Sequence, residues 1–97
     1  MPLDERTAAH TAELFSALSD PNRVRIISEL LEHEELNVGA LAECLGMSIS
    51  AVSHQVSGLR HMRLVRARKE GRQVFYALDD EHVATLFRQV LDHVLHS

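Results

Sequence analysis

The apolar period of this chain changes only twice, and those changes limit its fold more than any other feature. Up to Met62 the apolar residues recur at helical spacing. From Leu64 to Leu78 they fall in two short strand-like runs, and from Asp80 the helical period returns. This predicts a mostly α fold with one β-hairpin. Ala8, Thr11, Ala12, Leu14, Phe15 and Leu18 share a broad face of a first helix, from about Asp4 to Leu18. Asp20 then caps a second helix with Pro21 in its first turn, and Val24, Ile26, Ile27, Leu30 and Leu31 line its inner side. A short third helix (about Val38 to Cys44) buries Leu41, Ala42 and Leu45 and is broken at Gly46, where a left-handed residue costs glycine least. Ser48 caps a fourth helix to about Met62, with Ile49, Val52, Val56 and Leu59 inward. Helix, glycine turn, helix is the helix-turn-helix pattern, here over about 38–62.

Leu64–Arg68 and Gln73–Leu78 read as strands around Lys69-Glu70-Gly71-Arg72, a hairpin wing over about 64–78. Asp79 is placed to cap a last helix over about 80–95, with Val83, Leu86, Phe87, Val90, Leu91 and Val94 apolar. That stripe is too rich for 97 residues to cover alone, so a second copy is its natural partner. The whole, 1–97, reads as a single winged helix-turn-helix domain. No apolar run approaches the roughly 20 residues of a membrane span, no export signal opens the chain, and no disulfide framework can form from Cys44 alone. A cytoplasmic location and no membrane partner are expected.

The formal net charge of -4 argues against a polyanion partner until its distribution is considered. Arg60, Arg63, Arg66, Arg68, Lys69 and Arg72 face one acid, Glu70, within that stretch, so a basic stripe crosses an acidic body. Ser50, Ser53, His54, Gln55 and Ser57 face away from the core of the fourth helix, and such short polar or amide groups suit base edges. The second helix of a helix-turn-helix enters the major groove of double-stranded DNA. Arg60, Arg68, Lys69 and Arg72 would then contact phosphates, which position the protein without specifying sequence.

Glu35-Leu36-Asn37-Val38-Gly39, Ser50-Ala51-Val52-Ser53-His54-Gln55, Leu64-Val65-Arg66 and Lys69-Glu70-Gly71-Arg72-Gln73-Val74-Phe75-Tyr76 resemble the ArsR/SmtB family of metal-sensing repressors. The similarity runs from Ser19-Asp20-Pro21-Asn22-Arg23 to the C-terminus. It implies a homodimer built through the first and last helices, a palindromic operator, and groove contacts from Ser50, Ser53 and His54.

Asp80, His82, His93 and His96 supply oxygen and nitrogen donors suited to zinc, with cobalt(II) next and nickel or cadmium less favoured. His82 and His93 are 11 residues apart, about 16 Å along a helix, while each donor must lie about 2 Å from the ion. One straight helix cannot close such a site. Eleven residues is close to three turns, so both histidines face the same way, and two antiparallel helices would pair Asp80 and His82 of one with His93 and His96 of the other. The family's Asp-x-His and His-x-x-His pattern is matched at all four positions. The resemblance also implies that the far nitrogen of His93 bonds a backbone carbonyl near Arg63, passing metal binding to the DNA-reading helix. Asn37 stands where some members carry a thiolate, so their second site looks absent, and Cys44 reads as buried core filler.

Four protein ligands leave no open coordination position, which argues against catalysis and for regulation: metal as effector, with no organic cofactor. The alternatives are a winged-helix repressor with a non-metal effector, a metal buffer without a DNA role, and a hydrolase using Ser53 and His54. The last is disfavoured because adjacent helical residues point in different directions.

Overall fold

A computed structural model describes residues 2–96. The order is α1 (Glu5–Ala17), α2 (Pro21–Glu32), β1 (Leu36–Asn37), α3 (Val38–Leu45), α4 (Ile49–His61), β2 (Val65–Glu70), β3 (Gln73–Leu78) and α5 (Glu81–Leu95). All five expected helices and both hairpin strands are present. The sheet also gains β1, which extends the hairpin to the antiparallel order β1-β3-β2 by pairing Leu36 with Tyr76 and Asn37 with Phe75. Two residues carry no alternation to detect, so only the fold brings them to the free edge of β3.

Local chemistry sets the boundaries. Asp20 accepts from the Asn22 amide and Pro21 follows it into α2. Gly46 ends α3 at φ 64°, ψ 33°, and the Met47 amide reaches back to the Ala42 carbonyl at 3.0 Å. Ser48 then accepts from the Ala51 amide and starts α4, so the turn between the two helices is three residues long. Gly71 takes φ 60° at the hairpin tip, which shortens the expected four-residue turn to Gly71-Arg72 and places Lys69 and Glu70 on β2. The last helix is capped by Asp80, whose side chain accepts from the Val83 amide at 3.0 Å, rather than by Asp79.

Ile26, Ile27 and Leu30 of α2, Leu41 and Leu45 of α3, and Val52, Val56 and Leu59 of α4 close the core over Leu64, Val65 and Phe87. Two expectations of burial do not hold. Ile49 is 57 % exposed, because the first turn of α4 projects past the edge of this core. Cys44 is exposed, since its flank of α3 turns away from the side on which Leu41, Ala42 and Leu45 are buried. Helix α1 buries no residue: Leu14 and Leu18 pack partly on the core and Phe15 remains 56 % exposed. On α5 only Ala84 and Phe87 are buried, while Leu86, Val90, Val94 and Leu95 face outward. Among the described residues no helix is long and apolar enough to cross a membrane.

Candidate nucleic-acid interface and metal centre

Helix α4 presents Ser50, Ser53, His54 and Ser57 as exposed residues on its outer side, with Arg60 exposed at its C-terminal end. The wing carries Lys69 on β2 and Arg72 at the tip, both exposed. Among the described residues Arg60, Arg63, Lys69 and Arg72 enter no ion pair, so their charge is free to meet an external anion. Two of the expected contacts are engaged internally instead.

Gln55 is half-buried: its carbonyl oxygen accepts from Arg23 Nε at 2.8 Å and its amide nitrogen donates to Asp20 Oδ2 at 3.4 Å. Arg23 Nη1 also donates to the Ala17 carbonyl at 3.0 Å. This network ties the middle of α4 to the α1–α2 turn, so Gln55 holds the orientation of the helix and both ends of its amide are occupied. Gln55→Ala is expected to lower stability by about 1–2 kcal/mol in urea denaturation, because it leaves Arg23 short of a partner. It should weaken binding to all DNA sequences alike; a loss of discrimination at one adenine would return Gln55 to base reading.

Arg68 is held by two carboxylates. Its guanidinium donates to both oxygens of Glu35, at 2.6 and 3.1 Å, and to Glu70 at 2.7 Å, and it lies 5.0 Å from the centre of the Phe75 ring. The hydrogen bonds from Arg68 hold the Glu35 carboxyl below the usual carboxylate range, and the two acids push Arg68 up. A depressed carboxyl stabilises the folded state above its ordinary titration range, and this contribution disappears as the pH falls through the folded value. The pair clamps the wing to the α2–β1 connection. Sequence spacing gave no sign of it, because Glu35 and Arg68 are 33 residues apart.

Asp80 and His82 meet at the N-terminus of α5, where His82 Nδ1 lies 3.8 Å from Asp80 Oδ1. The His82 side chain is 99 % exposed and Asp80 is half-exposed, so both face outward. As N-cap, Asp80 has extended backbone angles (φ -156°, ψ 175°), which frees it from helical phase and turns it beside His82. At the other end His93 is exposed in the last turn and His96 is the C-cap. His96 Nδ1 lies 2.9 Å from the Asp92 carbonyl and 3.0 Å from its carboxylate, so the neutral ring that donates from Nδ1 keeps the Nε2 lone pair for a ligand. The donor set fits a four-coordinate ion in chemistry, and the two pairs stand at opposite ends of α5. Arg63, near which the carbonyl acceptor for His93 is expected, occupies the joint between α4 and β2 at φ 60°. Its amide donates to the Arg60 carbonyl and the next amide, of Leu64, donates to the Leu59 carbonyl, an arrangement usually completed by glycine.

Among the described residues, ligating atoms of three side chains converge within 4.8 Å at Glu29, Glu32 and His33 at the end of α2. The sequence reading missed this Glu-x-x-Glu-His spacing. Its His33–Glu29 contact of 3.9 Å is an ordinary i,i+4 pair on a solvated helix end.

The sequence profile described as "Bacterial regulatory protein, arsR family" matches residues 20–67, from the cap of α2 into β2. The chain is 50 % identical over 97 residues to the transcriptional repressor SmtB homolog of Synechocystis sp., covering all of this chain and 71 % of that protein. The homodimeric winged helix-turn-helix DNA-binding domain from Mycobacterium bovis superposes with a TM-score of 0.84 at 31 % identity, over 97 % of this chain and 89 % of that one. The antimony-specific transcriptional repressor AntR superposes with a TM-score of 0.87 at 27 % identity, over 99 % of this chain and 86 % of that one. Fold, sequence and relatives agree that the chain belongs to the arsR family of bacterial regulatory proteins, which are transcriptional regulators and not enzymes.

Proposed function

We propose that two copies of this chain form a dimer that holds a palindromic operator in the metal-free state and releases it when zinc binds between the two α5 helices. One observation carries this reading. The ligand pairs Asp80–His82 and His93–His96 stand at opposite ends of a helix whose intervening apolar residues Leu86 and Val90 are exposed in the single chain. Antiparallel docking about a two-fold axis answers both needs at once. The register that brings Asp80 to His96 and His82 to His93 also brings Leu86 to Val90 of the second copy. Phe15 of α1 and Leu18, which caps it, border the same apolar groove of about 310 Å³ as Leu86 and Val90, so the interface continues onto α1. The homodimeric relative and the metalloid-specific repressor among the structural neighbours support a dimer and a metal-type effector.

Double-stranded DNA would meet Ser50, Ser53 and His54 in the major groove, with Arg60, Lys69 and Arg72 on phosphates. Oxygen and nitrogen donors without sulfur favour zinc and cobalt(II) over cadmium. When bound, the ion supplies bonds that cross-link the two α5 helices. Asp80 and His82 would hold it from one copy, and His93 and His96 from the other. The nitrogen of His93 not used as ligand would donate to a backbone carbonyl near Arg63 and so bias the joint between α4 and the wing. By linkage, DNA and metal weaken each other by the same factor, of the usual order of about 5–150-fold.

The test is fluorescence anisotropy of a duplex that the metal-free protein selects from a randomised pool, with and without stoichiometric zinc. Zinc should weaken binding within that range, and unchanged affinity in a protein that has taken up zinc overturns the reading. Because imidazole must be neutral to ligate, zinc-driven release should fade in acid. Release undiminished at about pH 5 would exclude histidine ligands.

A further inference from the structure

We infer that Ile49 reads the C5-methyl group of a thymine in each half-site and is a specificity-determining residue; this rests on the proposed DNA-binding reading. The large apolar side chains exposed among the described residues fall into two groups. Leu3, Phe15, Leu86, Val90, Val94 and Leu95 belong to the N-terminal segment, α1 and α5, where the proposed dimer face lies. Ile49 is apart from them, 57 % exposed as the first residue of α4. Val52 and Val56 on the same helix are fully buried, so the core had no need of Ile49 and leaves it outside. A single exposed apolar residue is ordinary on a protein surface. Its place is what distinguishes it.

The first turn of the second helix lies nearest the bases in a helix-turn-helix complex. Ile49 directly follows the cap Ser48 and precedes Ser53 by four residues, which puts it beside Ser53 on the helix surface. Ser50 and Ser53 offer hydroxyls to base edges, whereas Ile49 has neither donor nor acceptor. The apolar feature a base pair presents in the major groove is the thymine methyl. A β-branched residue gains nothing from helix propensity here, because Ala or Gln would favour the turn more. Contact with a methyl group gives the exposed side chain a role that neither packing nor propensity does.

The experiment scans a duplex selected by the parent protein from a randomised pool, replacing each thymine in turn by deoxyuridine, which removes the methyl and keeps every hydrogen-bonding group. The parent and Ile49→Ala are compared metal-free, with thermal midpoints confirming that both are folded, and Ile49→Val serves as the conservative variant. At one position per half-site the parent should lose about four-fold in affinity, the effect of one methyl-sized burial, and about fifteen-fold when both half-sites are changed. Ile49→Ala should show no loss at that position, and Ile49→Val should keep most of it. A profile equal in parent and Ile49→Ala, or a parent insensitive to every replacement, overturns the assignment while leaving DNA binding intact. Failure to select any duplex overturns the DNA-binding reading, and the inference with it.

Discussion

His93→Ala should bind operator as tightly as the parent and respond to zinc hardly at all. The imidazole is exposed in the last turn of α5 and contributes nothing to the core, so its loss leaves the fold and the α4 surface unchanged. Removing one of four protein ligands should weaken zinc by about two orders of magnitude or more, beyond the 10–100-fold typical of outer-shell changes. The ratio of operator affinities without and with zinc, about 5–150 in the parent, should then fall to about one. Cobalt(II) gives an independent readout, because the intense visible bands of a tetrahedral site should be lost along with the response. A variant that still takes up metal and still releases DNA in full would remove His93 both as ligand and as the link to Arg63.

The second large effect concerns the interface. Val90→Glu should convert the dimer to a folded monomer. Val90 is 49 % exposed in the single chain and adjoins Phe15, Leu86 and Leu91 in the apolar groove, so a carboxylate there is solvated in the monomer and buried in the dimer. A symmetric interface receives the substitution twice. Each uncompensated buried charge costs about 3–5 kcal/mol, which is a large share of the roughly 8 kcal/mol that holds a micromolar complex. Sedimentation should show a monomer with an unchanged circular dichroism spectrum. Operator affinity should fall at least about a hundred-fold, because one recognition helix then binds without the other. A dimer that survives this change would place the interface elsewhere and would undo the shared metal site.

Both predictions use features visible in the chain before folding. The Asp-x-His and His-x-x-His spacing on one helix sets the proposed donors too far apart for one copy, and the rich stripe between them calls for a second copy. The turn between α3 and α4 was equally legible, because Gly46 and Ser48 act through backbone conformation and a hydrogen bond three residues away. Such effects depend on near neighbours, as the capping of α2 by Asp20 does.

Five assignments could not be reached that way. The cap of α5 fell to Asp80 instead of Asp79, and Asp79 itself is drawn to the sheet, where its amide donates to the Leu64 carbonyl. Ile49 and Cys44 sit on helices whose apolar period is correct, yet whether a given turn meets the core depends on where the core ends. Gln55 and Arg68 have the right chemistry to contact DNA, but Asp20, Arg23 and Glu35 reach them first across 32 to 35 residues of chain.

Sequence alone therefore determined the helices, the wing and the turn between α3 and α4, because periodicity and caps act over a few residues. Tertiary structure decided which polar and charged side chains remain available to a partner and which are spent inside the chain. That choice depends on distances between segments far apart in sequence, and only the packed fold sets them.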